Sequence, residues 1–188
     1  MSAAANGRVT LISANPTAQS WQRDAEQAFR QQRYDEALRL SRHALLEDDQ
    51  NGLLLLFGSQ AAFAAGQYAF SYDALARGIE LLPDKSQWGF VVENYRQLYS
   101  NSDYVTQMER LESFAVENAE LGYPLTLRAF HFLYLGHQDA ARSDLEKALA
   151  LNPDDYVARQ LFATLPAEQL PVPSKAIAPV PAPSLDAH

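Results

Sequence analysis

Between residues 18 and 165 the apolar positions recur with the period of an α-helix. In RYDEALRLSRHALLEDD, residues Tyr34, Ala37, Leu38, Leu40, Ala44 and Leu45 stand three and four apart, and Arg39, Arg42 and Glu47 fall on the opposite face. Three more stretches read the same way. They carry Tyr68, Tyr72, Leu75, Ile79 and Leu82, then Tyr104, Met108, Leu111, Phe114 and Ala115, then Ala140, Ala141, Leu145, Ala148, Leu149 and Leu151. Before these lie segments apolar almost all round, such as LLLLFGSQAAFAAG and LTLRAFHFLYLG. That pattern predicts helices covered on more than one side. Pro83 and Pro153 follow predicted helix ends, and Pro124 stands where a helix can begin.

The stretches repeat. Tyr34, Tyr68, Tyr104 and Gln138 are separated by 34, 36 and 34 residues, and Gly66 and Gly136, like Pro83 and Pro153, lie 70 apart. One register gives four two-helix units, about residues 18–51, 52–85, 88–121 and 122–155. In that register Ala37, Ser71 and Ala141 share one position, and Ala44, Gly78 and Ala148 share another. A plain bundle has no need for small side chains at matched places, whereas a close-packed hairpin does. Residues 155–165 predict a capping helix: Asp154 or Asp155 can accept its free N–H groups, and Val157, Leu161 and Leu165 form its apolar stripe.

Gly66-Gln67-Tyr68 through Pro83, Gly136 through Ala141, Ala148 and Pro153, and the aromatic Trp21 resemble the tetratricopeptide repeat family. The resemblance covers about residues 18–154. Unit three departs most, with Gln107 and Phe114 in place of the small residues and no terminal proline. Units one and two lack some marks, with Gln32 for glycine and Asp49 for proline. The resemblance implies an all-α superhelical solenoid of about four hairpins, whose first helices line a concave face that binds a peptide or partner protein. By register that face takes Phe29 and Arg30 from unit one, and Leu56, Gln60 and Phe63 from unit two. Val92, Arg96 and Tyr99 come from unit three, and Tyr123, Phe130 and Tyr134 from unit four. Large rings and arginine dominate binding hot spots. A carboxylate clamp known in one subclass is absent, because its positions hold Gln22, Glu26, Phe57 and Leu127. Two alternatives follow from the same resemblance: a secretion-type chaperone for an apolar client, and an accessory regulatory domain of a larger protein.

Composition narrows the chemistry. The 188 residues carry 23 Asp and Glu against 15 Lys and Arg, a net charge of −8, which disfavours nucleic acid as partner. With no cysteine there is no disulfide frame, Cys-ligated metal or Cys nucleophile. No phosphate-loop, His-Glu-x-x-His or Gly-x-Ser-x-Gly motif occurs, and His43, His131, His137 and His188 are scattered. The reading is therefore non-catalytic, with no cofactor and no metal. The first twenty residues lack a signal-peptide apolar stretch, and the run Leu53–Phe57 is far too short to span a bilayer. The cytoplasm is the default compartment, and the periplasm or exterior applies to a processed or truncated chain. Residues 1–17 read as a flexible arm. Residues 166–188, with six of the ten prolines, read as an extended, disordered tail.

Overall fold

The computed structural model describes residues 13–99 and 102–166, so residues 1–12 of the expected arm and 167–188 of the expected tail lie outside the described residues. The helices are α1 (Pro16–Arg30), α2 (Tyr34–Glu47), α3 (Gly52–Ala64), α4 (Tyr68–Leu81), α5 (Phe90–Glu93), α6 (Tyr95–Leu98), α7 (Asp103–Glu117), α8 (Tyr123–Tyr134), α9 (Gln138–Leu151) and α10 (Tyr156–Phe162). A 3-10 turn, Lys85–Gln87, precedes α5. The described chain is an all-α helical-repeat superhelix.

Of residues 13–17, expected in the arm, Ser13 is buried and Asn15 half-buried, and both are hydrogen-bonded, while Ala14, Pro16 and Thr17 are exposed. The Asn15 side chain accepts from the Thr17 N–H at 2.9 Å, and Pro16 occupies the first turn, where its missing N–H costs nothing. Ser13 is buried and hydrogen-bonds Asp48, while the Asn15 side-chain amide donates to the Glu47 carbonyl at 2.9 Å. The first helix is thereby tied to the end of the second.

Three hairpins share one turn. α1, α3 and α8 each end in a residue with left-handed backbone: Gln32 at φ +63°, Gly66 at +75° and Gly136 at +87°. The next N–H reaches back to the helix in all three, from Arg33 to Ala28 O at 2.9 Å, Gln67 to Ala62 O at 2.8 Å and His137 to Phe132 O at 2.8 Å. This closure satisfies carbonyls that a helix end leaves open. Small residues then let the helices meet. Ala37, Ser71 and Ala141 are fully buried, and Ser59 and Ser71 exchange hydroxyl-to-carbonyl bonds of 2.7 and 2.8 Å across α3 and α4. A Cβ on Gly78 would stand 3.0 Å from Leu56 Cδ2.

The third unit differs from the expected hairpin. α8 packs directly on α4, and α10 covers α4, α8 and α9, so the 122–155 hairpin stacks on the second. Residues 84–99 instead run as a strap across the first helices: α5 touches α3 and α8, and α6 touches α1. The cause lies in the two positions where unit three departs. Gln107 is buried where a small side chain would admit a partner backbone, and Phe114 packs its ring 4.8 Å from Tyr68 and 6.4 Å from Tyr123. At the break between α5 and α6 the Asn94 side chain donates to the Phe90 carbonyl at 2.8 Å, a bond that competes with helix continuation.

Candidate functional site

The candidate site is the side of the stack formed by α1, α3 and α8. Across it lie Trp88, Val91, Val92 and Tyr99 of the strap, all buried. The Trp88 indole N–H donates to the Leu82 carbonyl at 2.8 Å. Gly89 sits so close to α8 that a Cβ there would fall 2.0 Å from the Tyr134 ring. Tyr99 closes the far end. Its ring meets Phe29 edge-on at 4.9 Å and Tyr104 edge-on at 5.1 Å, with Tyr34 at 6.3 Å. Its hydroxyl accepts from the Gln60 amide at 2.9 Å and donates to Gln107 Oε1 at 2.5 Å. Burial raises the Tyr99 phenol well above its ordinary value, so it stays a neutral donor.

The residues expected to line this face divide sharply. Phe29, Leu56, Gln60, Phe63, Val92, Tyr99 and Phe130 are buried. Their burial differs from the open aromatic groove that the register implied: Tyr99 of the strap covers Phe29 and Gln60, Phe63 packs on Tyr104 and His131, Leu56 lies against Gly78 of α4, and Val92 and Tyr99 belong to the strap itself. Arg30 and Arg96 remain exposed, Arg30 beside Glu26 at 3.5 Å and Arg96 with its guanidinium 5.8 Å from the Tyr95 ring centre. Tyr123 and Tyr134 are half-buried. Tyr134 rests against Phe130 at 5.2 Å, and Tyr123 faces Tyr72 on α4 at 5.8 Å, away from the strap.

Four residues of the site were not among those expected: Trp88, Tyr104, Gln107 and His131. His131 is wholly buried, 4.2 Å ring to ring from Phe63, and its Nδ1 is bonded to the Tyr104 hydroxyl at 2.8 Å. Desolvation pushes its pKa down to about 3, so the imidazole is neutral. The available signal was Gln107, a large amide at a repeat position that is otherwise small. On α1 the buried Gln22 amide nitrogen donates to Glu26 at 3.0 Å, while its Oε1 has no hydrogen-bond partner among the described residues. Elsewhere the buried charges are matched. Arg128 grips Asp144 through two bonds of 2.7 and 2.8 Å, and Asp155 accepts from Tyr72, Thr126 and the Ala158 N–H. Among the described residues no three His, Asp or Glu side chains are grouped to hold a metal ion, and no helix is long and apolar enough to cross a membrane.

No family model matches the sequence, and no curated protein does. Solved structures with similar outline include the first TPR domain of Spaghetti (RPAP3) bound to an HSP90 peptide. It shows 16% identity over 80% of this chain and 91% of that one, at a TM-score of 0.38. MamA of Desulfovibrio magneticus RS-1, from residue 41 onward, shows 15% identity over 81% and 85%, at 0.37. The Sgt2 TPR domain of Aspergillus fumigatus shows 12% identity over 90% and 98%, also at 0.37. The likeness is one of helical-hairpin architecture, which this chain's own turns and stacking display independently.

Proposed function

We propose that this chain is a non-catalytic interaction scaffold that holds a peptide or partner protein on the side formed by α1, α3 and α8. The observation that supports this most is that the face already carries a segment that is not part of the repeat stack. A surface that seats residues 84–99 by aromatic edges and amide hydrogen bonds has the chemistry to seat a similar guest. Arg30 and Arg96 stand exposed at its margin and supply charge at the rim, where it steers association.

The test is capture of partners by cross-linking with the wild type and with Arg30→Glu combined with Arg96→Glu. Both side chains are exposed, so the double variant is expected to fold normally and to lose captured partners. Unchanged capture by the folded double variant rejects this face. Replacing Phe63, Tyr99 and Phe130 by Ala does not serve here, because all three are core residues and the chain would lose stability along with any binding.

A further inference from the structure

The strap has the features of a bound ligand more than of a repeat. Its two helices hold four residues each, too short to persist on their own. Its side chains therefore carry its attachment, and they are those of a short amphipathic peptide: Trp88, Val91, Val92 and Tyr99 face inward, while Glu93, Arg96 and Gln97 are exposed. The receiving surface is unusual for a core. The Tyr99 ring lies against Phe29, Tyr34 and Tyr104, and its hydroxyl is what the buried Gln60 and Gln107 bind. The Gln107 oxygen accepts from the Tyr99 hydroxyl while its amide group faces the Tyr34 phenol, whose own hydroxyl donates to Asp103 at 2.7 Å. Two buried amides directed at one phenol are more than a permanently closed core requires, since apolar side chains of the same shape would serve there about as well.

We infer that Phe29, Tyr34, Gln60, Tyr104 and Gln107 form a tyrosine-reading pocket that Tyr99 fills in cis and a tyrosine-bearing apolar segment of a partner fills in trans. This rests on the proposal that the first-helix side is the interaction surface, and it adds the ligand chemistry and the order of events. The strap lifts, and the partner's tyrosine takes the place of Tyr99 between the Phe29 and Tyr104 edges, with its hydroxyl accepting from Gln60 and donating to Gln107. Affinity for the partner is then lowered by the fraction of molecules whose strap is seated. Gly89 is the point at which the strap can be loosened without touching the pocket. A methyl group there would collide with the Tyr134 ring.

The experiment uses the full chain and, as probe, a peptide with the sequence of residues 89–99, fluorescein-labelled for anisotropy. The peptide contains no tryptophan, so Trp21→Phe leaves the buried Trp88 as the sole reporter of strap release. Gly89→Ala is expected to bind the peptide at least tenfold more tightly than the wild type, and unlabelled peptide is expected to shift Trp88 emission to the red. A peptide with its final tyrosine changed to alanine should lose at least tenfold. Hydrogen exchange on the wild type covers the case in which Gly89→Ala misfolds. The strap amides of Glu93, Asn94, Gln97 and Tyr99, bonded within the strap at 2.8, 3.2, 2.9 and 2.9 Å, should exchange at least a hundredfold faster than those of mid-α3. Strap amides that exchange only with global unfolding overturn the inference, as does an unaltered affinity in a Gly89→Ala protein of normal helix content. A strap that opens and takes the peptide in a chain that captures no partner leaves the pocket standing and removes the scaffold reading instead.

Discussion

Asp155 joins three elements, and its removal gives a worked test of how the capping helix is held. The carboxylate is almost wholly buried. It accepts from the Tyr72 hydroxyl of α4 at 2.8 Å, from the Thr126 hydroxyl of α8 at 2.8 Å and from the Ala158 N–H of its own helix at 2.9 Å. Loss of the helix cap costs about 1 kcal/mol. Each hydrogen bond to a charged group contributes about 1.5–3 kcal/mol. Tyr72 is half-buried and regains water, so its share falls at the low end, and relief from burying a carboxylate offsets part of the total. Asp155→Ala should therefore cost about 3 kcal/mol, which in a domain of this size lowers Tm by roughly 6–12 °C. Asp155→Asn keeps one acceptor oxygen for the cap but replaces the other by a donor, and should cost about half as much. Urea unfolding followed by circular dichroism measures both. A loss under about 1 kcal/mol for Asp155→Ala would show that α10 is held by its apolar residues alone, Val157, Ala158 and Leu161, and equal losses for both variants would refute the separate role of the cap.

Other consequences can be checked with the same equipment. His131 is held neutral, with its pKa about 3 when folded against about 6.5 when unfolded, so below pH 6.5 the unfolded chain binds the extra proton and stability falls as pH drops toward 3. At pH 5 this amounts to about 2 kcal/mol relative to pH 7.5. His131→Gln should flatten that slope, and an unaltered slope between pH 6.5 and 4.5 refutes the assignment. Asp144→Ala leaves Arg128 largely buried with only the longer 3.5 Å contact to Glu112, and should cost about 3–5 kcal/mol in urea unfolding. Replacing both partners by Leu and Met should be far less costly, and a double variant as unstable as the single one counts against the pair. Gln32→Gly relieves a left-handed backbone at an exposed turn and should stabilise by about 0.5–1 kcal/mol. Gly66→Ala, where nothing lies within 4 Å of the added methyl, should destabilise by about 1 kcal/mol. The same sign for both melting shifts would break the equivalence of the turns.

The candidate site was legible only at its margins. Arg30, Arg96 and Tyr134 were placed by register, and all three lie at or near the strap side with their side chains at least partly reachable. Gln60 and Tyr99 were placed there too, but as free lining, when they are in fact hydrogen-bonded to one another. His131 looked like one of several scattered histidines, and nothing local marks it as the neutral partner of a tyrosine 27 residues away.

What the sequence determined by itself is the local part. Period-3.6 stripes specify amphipathic helices, glycine at Gly66 and Gly136 specifies left-handed turns, and matched small residues specify the close hairpin. Each of these depends on residues within about forty positions of one another, so one-dimensional spacing records it. The tertiary structure alone decided which hairpin stacks on which, and that residues 84–99 cover the first helices instead of extending the stack. That choice rests on contacts such as Tyr99 with Phe29 and Gln60, and Asp155 with Tyr72 across 83 residues. The same apolar stripe on residues 88–99 is satisfied by any apolar face it can reach. Packing shape and buried polar partners choose among those faces, and neither leaves a periodic mark in the chain.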